Sequence, residues 1–224
     1  MGGPKTCSIF LFRHGQTYFN RDKRFTGWKE SNLTPLGREQ ANLIAEKLKD
    51  KRIDVAYQTH QRRSKDTLKP VLRFHPECRE IITDDRIIER SYGALQGKYH
   101  RTQKKVEGNK AYRKLVKSGK IKPLPPKEKA ALMERLGDEQ VMKIRRNYYE
   151  CPKNGESIQM VEKRVMSFLR DLIRKMKREK VNVAISAHGN SMRPFRRYFE
   201  KLTMEQMMKL ENPWDEYFEY KVDV

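Results

Sequence analysis

The segment VNVAISA at 181–187 constrains the fold of this chain more than any other feature. It is apolar without the alternation of a strand that keeps one face in water. It therefore predicts a strand buried on both faces, as in a parallel sheet with helices on either side. Just upstream, Val161, Val165, Phe168, Leu169, Leu172, Ile173 and Met176 fall on one face of a helix. The same alternation is read earlier in the chain. A strand at 7–12 is followed by a helix with Thr34 as N-cap, Pro35 at its first position and an apolar stripe of Leu36, Leu43, Ile44 and Leu48. A strand at Ile53 to Tyr57, a helix at 64–73 and a strand at 80–83 come next. Strands alternating with helices give an α/β fold, expected here as one three-layer domain over 1–224 whose mostly parallel sheet is flanked by helices.

That topology bears on chemistry. His14 lies just past the first strand and His188 just past the strand 181–187, so both stand at carboxyl ends, where open α/β sheets bind ligands. Each is followed by glycine, in FRHGQTYFN (12–20) and AHGNSMR (187–193). An imidazole can attack phosphorus and pass the group onward. The Arg13 guanidinium beside it can clamp phosphoryl oxygens in two-point fashion. Of the adjacent Arg62 and Arg63 only one can easily turn into such a pocket, and spacing from Thr59 favours Arg63. His60 and His75 lack such context and read as surface or packing residues, and Trp28 reads as packing.

The formal charge is +21, and residues 98–150 carry sixteen Lys/Arg against six Asp/Glu, so about half of the imbalance lies in under a quarter of the chain. Two helical stretches near 104–117 and 127–146 flank KIKPLPPK, whose prolines break a continuous helix. The segment 98–150 is expected to be a basic helical lid. No apolar run approaches the roughly 20 residues of a membrane span, and MGGPKTC has no apolar targeting stretch. Three cysteines without a CxxC pair suit a reducing compartment and offer no metal cluster, so a cytoplasmic, metal-free protein is expected.

Four ordered blocks, FRHGQTYFN, RFTGW with NLTPLG (24–37), IIERSYGALQG (87–97) and AHGNSMR, resemble the histidine phosphatase superfamily, and within it the cofactor-dependent phosphoglycerate mutase branch. The resemblance spans almost the whole chain. It implies that His14 becomes phosphorylated, that Arg13, Arg63 and His188 bind the phosphoryl group in flight, and that Glu89 is the acid/base. It implies further that Asn20, Thr26, Gly27, Gly189 and Asn190 supply hydrogen bonds, and that Arg90 and Tyr92 hold the substrate. Where the mutases carry a lysine for the substrate carboxylate this chain offers His100, with Lys98 or Arg101 as substitutes. The lid arginine pair matches Arg145 and Arg146 best, with Arg113 and Lys114 as rivals.

The function expected is interconversion of 3- and 2-phosphoglycerate primed by 2,3-bisphosphoglycerate, without metal. The alternative is a phosphomonoesterase of a small phosphorylated metabolite. EYFEYKVDV carries no longer mobile tail to cover the site, which would leave a phosphohistidine open to water. A third reading is a non-catalytic basic protein, but no nucleic-acid-binding module stands behind the charge, so the expected partner is a small phosphorylated metabolite, with no membrane and no nucleic acid. A homodimer is admissible.

Overall fold

The computed structural model describes residues 6–224; most of the amino-terminal segment read for targeting lies outside them. Five strands form one sheet in the order β3-β2-β4-β1-β5. These are β1 (Thr6–Arg13), β2 (Val55–Gln58), β3 (Glu80–Thr83), β4 (Val183–Ala187) and β5 (Tyr217–Asp223). The first four run parallel, and β5 pairs antiparallel with β1 at the edge. The helices are α1 (Tyr18–Arg21), α2 (Pro35–Leu48), α3 (Arg62–Leu72), α4 (His100–Lys117), α5 (Pro126–Arg146), α6 (Ile158–Glu179), α7 (Gly189–Glu200) and α8 (Met204–Lys209).

Period-two side-chain alternation along β1 builds both halves of the core. Ile9 and Leu11 join the apolar face of α6 with Val165, Phe168 and Leu172. Phe10 and Phe12 join Ile44, Leu48 and Leu68 on the other side. Every β4 residue is buried, as expected for a strand covered on both faces.

The α2 stripe differs from its sequence reading. Thr34 caps the Gly37 N–H and Pro35 opens the helix, but the buried face is Gly37, Gln40, Ala41, Ile44, Ala45 and Leu48. Leu36 and Leu43 are about half exposed. The helix needs its small residues inward because the chain after β1 runs against it. A Cβ on Gly15 would lie 2.1 Å from the Gly37 carbonyl oxygen, and one on Gly37 would lie 2.0 Å from that of Gln16. The two glycines therefore let the loop bearing His14 sit directly on α2.

Helices α4 and α5 form an antiparallel hairpin. Gly108 faces the Met133 carbonyl and Gly137 that of Lys104, each at a distance no Cβ could occupy. The hairpin is tied down at its base by a small cluster of Phe25, Tyr92 and Val141. It is the basic lid expected from sequence, and its first helix starts at His100. Among the described residues no helix is long and apolar enough to cross a membrane.

Candidate active site

Strand register creates the site. Arg13 pairs with Ala187 across β1 and β4, so the following residues, His14 and His188, leave the sheet side by side. Their ring centroids are 5.0 Å apart. The His14 N–H donates to the Ala187 carbonyl at 3.0 Å, and the Gly15 N–H to Thr67 Oγ1 of α3 at 3.0 Å, which fixes the loop.

The hydrogen bonds assign the tautomers. His14 Nδ1 lies 2.8 Å from the Gly15 carbonyl oxygen, which only accepts, so Nδ1 carries the proton and Nε2 keeps its lone pair. Arg63 Nε donates to His188 Nδ1 at 3.3 Å, so His188 carries its proton on Nε2 and donates it to Thr59 Oγ1 at 2.9 Å. Burial holds His14 well below the ordinary imidazole range, reinforced by the charges of Arg63 and Arg13. Burial does the same to His188, with Arg63 and His14 adding to it. Both rings are neutral at physiological pH.

Arg63, from the first turn of α3, is fully buried while Arg62 is exposed. Its fork donates to the carbonyls of Gly27 (2.7 Å) and Lys29 (3.0 Å). Arg13 donates to the Asn212 carbonyl at 3.0 Å and packs 4.5 Å from the Trp214 ring centroid, while its Nε is buried without a partner. Glu89 accepts from the Arg90 N–H (2.7 Å) and from the Asn190 N–H (3.2 Å) in the first turn of α7. His14, Glu89 and His188 bring ligand-type atoms within 4.8 Å of one another, a spacing a metal ion could bridge. Arg13 and Arg63 beside them put positive charge there, so the donor set suits an anion.

A cavity of about 1010 Å³ opens over this cluster, lined by Arg13, His14, Arg63 and Glu89 and, from the lid, by His100, Arg101, Lys104, Arg145 and Arg146. Asn20, Thr26, Gly27, Tyr92, Gly189 and Asn190 line it too. Asn20 Oδ1 is taken by Thr17, which leaves its amide nitrogen as donor. Thr26 Oγ1 is buried without a partner. The rivals for the lid pair, Arg113 and Lys114, do not line the cavity.

Two sequence expectations change. Arg90 does not reach the cavity: it is fully buried, and its guanidinium donates to the carbonyls of Ile144 (2.7 Å), Glu150 (2.6 Å) and Glu156 (2.7 Å). It ties the end of the lid to the Glu89 loop, with each nitrogen bonded to a carbonyl and the side chain outside the cavity lining. His188 stands behind the cavity wall with both nitrogens engaged. His100 lines the cavity, but burial, with Arg145, Lys104 and Lys23 nearby, lowers its imidazole to about 4, so it is neutral there at pH 7.

Sequence reasoning missed the frame around Glu89. Arg164 pairs with Glu156 at 2.9 Å and donates to the carbonyls of Arg86 and Glu89, while Glu156 accepts from the Ser91 N–H at 2.8 Å. Trp28, read as packing, donates its indole N–H to the Glu89 carbonyl at 2.7 Å. The signal that was available is Gly155-Glu156-Ser157 at the start of α6, where Ser157 caps the helix. Arg24, Asn212 and Trp214, which line the cavity, were also missed, and neither Asn212 nor Trp214 carries a motif.

A parallel sheet that aligns a neutral histidine with a free Nε2 lone pair, buried arginines and a carboxyl group under a basic helical hairpin suits phosphoryl transfer of the phosphohistidine type. The chain belongs to the histidine phosphatase superfamily (branch 1), whose family model matches residues 9–148 and 126–216. It is 34% identical over 212 residues to the 2,3-bisphosphoglycerate-dependent phosphoglycerate mutase of Pelagibacter ubique, covering 92% of this chain and 85% of that one. Among solved structures it resembles a phosphoglycerate mutase from Bacillus anthracis, with TM-score 0.68, 19% identity and coverage of 98% and 89%. It also resembles the alpha-ribazole phosphatase from Shigella flexneri, with TM-score 0.69, 19% identity and coverage of 97% and 94%. The activity is thus that of a phosphoglycerate mutase or a related histidine phosphatase acting on a small phosphorylated metabolite.

Proposed function

We propose that this enzyme interconverts 3- and 2-phosphoglycerate through a phosphohistidine on His14, primed by 2,3-bisphosphoglycerate and without a metal. One observation carries the reading. The cavity is lined by two separate sets of cations, Arg13 and Arg63 from the strand ends and Arg145 and Arg146 from the lid. A phosphatase needs one anion clamp, whereas an enzyme that must hold a bisphosphate while it reorients needs two.

In the first half-reaction His14 Nε2 attacks phosphorus, the ester P–O bond breaks, and the leaving alkoxide takes a proton from Glu89. Arg13 and Arg63 neutralise the equatorial oxygens. An incoming dianion favours the imidazolium form of His188, whose second N–H can then replace the long Arg63 contact. In the second half-reaction a monophosphoglycerate binds, its free hydroxyl gives its proton to the Glu89 carboxylate and attacks phospho-His14, and the N–P bond breaks to leave 2,3-bisphosphoglycerate. The bisphosphate turns, and attack of His14 Nε2 on its other phosphorus releases the isomer and restores phospho-His14. The lid charge has a use in this scheme, since Arg101, Lys104, Arg145 and Arg146 face the substrate. Free Cys7, Cys78 and Cys151 fit a cytoplasmic enzyme.

The phosphomonoesterase reading has its own support. A cavity of about 1010 Å³ is at the upper end of the range for drug-sized ligands and generous for a three-carbon acid. Incubation with 3-phosphoglycerate, with and without 2,3-bisphosphoglycerate, while following 2-phosphoglycerate and free phosphate, separates the two. Isomerisation that depends on the bisphosphate supports the mutase; phosphate release without isomerisation overturns it.

A further inference from the structure

Arg24 is held as few cavity residues are. Its guanidinium carbon lies 4.8 Å from the Phe19 ring centroid and 4.2 Å from that of Tyr99. Its backbone is pinned by a 2.8 Å bond from its N–H to the Phe19 carbonyl and by an antiparallel bridge to Tyr99 at the foot of the lid. Two aromatic faces favour the cation and restrict its rotamers, so little conformational entropy remains to be lost on binding.

What the guanidinium lacks is an anion. Among the described residues it makes no salt bridge, and its Nε is buried without a hydrogen-bond partner. The nearby carboxylate of Asp22 is engaged by Arg21 at 2.8 Å. Other cavity arginines already hold partners, Arg63 the carbonyls of Gly27 and Lys29, Arg146 the carboxylate of Glu211, and Arg193 the carbonyls of Met207 and Met208 through one terminal nitrogen, although its Nε is unpartnered. An unpaired buried donor is costly, the more so beside Lys23 and Arg101, which add like charge. The nearby His100 ring packs edge-on to Phe25 at 4.3 Å and is neutral, so it supplies no cation at this wall.

We propose that Arg24 grips the second acidic group of the substrate, the one that is not transferred, and so makes the cavity selective for phosphorylated acids over simple phosphomonoesters. This rests on the phosphoglycerate reading above and adds a specificity residue to it. Arg24 presents a two-point donor pair to a carboxylate or to a distal phosphate, the geometry in which arginine exceeds lysine.

The test is calorimetric binding of three probes to the unphosphorylated enzyme and to Arg24→Ala. Glycerol 3-phosphate carries one phosphate, 3-phosphoglycerate adds a carboxylate, and 2,3-bisphosphoglycerate adds a further phosphate. The expected result is a loss of about tenfold to a hundredfold for the two acids and under about threefold for glycerol 3-phosphate, as for one charge-assisted contact. A loss confined to the bisphosphate assigns Arg24 to the distal phosphate; a loss shared by 3-phosphoglycerate assigns it to the carboxylate. Arg24→Met, which keeps a stem between Phe19 and Tyr99, reproduces the pattern if the alanine variant packs poorly, and Arg24→Lys restores only part of the affinity. Equal weakening of all three probes in Arg24→Met, or none, overturns the proposal. Binding needs no turnover, so a wild type that binds the acids without isomerising them removes the mutase reading alone.

Discussion

Replacing Arg63 by methionine should separate catalysis from stability. The native guanidinium is fully buried, and burial lowers it from its ordinary range to about 10. That shift corresponds to about 3 kcal/mol of unfavourable desolvation that the folded protein carries while the residue stays charged. Methionine relieves it. Against this stand three acceptors that lose a donor, the carbonyls of Gly27 and Lys29 and the buried His188 Nδ1, which is bonded at a long 3.3 Å. The Gly27 oxygen keeps its 3.2 Å bond from Gln61 Nε2, and the Lys29 oxygen belongs to an exposed residue that water can reach. Their loss should cost about 2 to 4 kcal/mol together. The balance is near zero, so the melting temperature of Arg63→Met should stay within about 4 °C of wild type or rise. The phosphoryl clamp is lost outright, and kcat/KM for 3-phosphoglycerate should fall by about a hundredfold to a thousandfold. Thermal melts and steady-state kinetics on the same preparation test both halves. A fall in melting temperature beyond about 8 °C, or kcat/KM within about tenfold of wild type, would refute the reasoning.

Other perturbations probe the frame around this cluster. Glu156→Gln weakens the 2.9 Å pair with Arg164 that holds the Glu89 loop, and should lower kcat about tenfold with a smaller change in KM, read by steady-state kinetics. Gly137→Ala places a Cβ 2.2 Å from the Lys104 carbonyl oxygen, so the lid hairpin must open; KM should rise severalfold and limited proteolysis within 98–150 should quicken. Both active-site imidazoles titrate below the range they have in an unfolded chain. Their stabilisation is therefore whole above about pH 6.5 and is lost as pH falls toward the folded values, each histidine withdrawing up to about 2 kcal/mol by pH 5. Urea denaturation at pH 7.5 and pH 5 should show that loss. Single-turnover phosphorylation of His14, which stays unprotonated, should persist below pH 6.5, and a steep drop there would show that the nucleophile has an ordinary imidazole affinity for protons.

What could be read in the sequence is what burial on two faces writes there. The β4 strand and the α6 helix announce themselves because nearly every inward position is apolar. The β5 strand was not expected. It is an edge strand whose residues are mostly half exposed, so YFEYKVD carries acids and lysine among its aromatics, and nothing local says that it returns to pair with β1. Helix α7 hides in GNSMRPFRRYFE for a similar reason, with Pro194 inside it and basic residues on its outer face. The α2 stripe misled because packing there is set by Gly15 against Gly37, which turns small residues inward and leaves Leu36 and Leu43 outside.

The candidate site shows the same limit in sharper form. Ten cationic side chains line the cavity against three acids, and sequence can find basic residues near a motif without revealing where their donors point. Arg90, next to Glu89, looks like a phosphate ligand until each of its nitrogens is seen to bond a carbonyl outside the cavity. Arg24 sits in RFTGW without a chemical partner in the sequence, yet two rings fix it with its donors unspent. Two arginines of equal charge thus do opposite work, one binding the lid to the catalytic loop and the other facing the cavity. Affinity for an anion follows the donors still unsatisfied after folding, because only those exchange water for ligand at a gain. For Arg90 that is decided by backbone carbonyls 54 to 66 residues away in the chain, beyond the reach of any local motif.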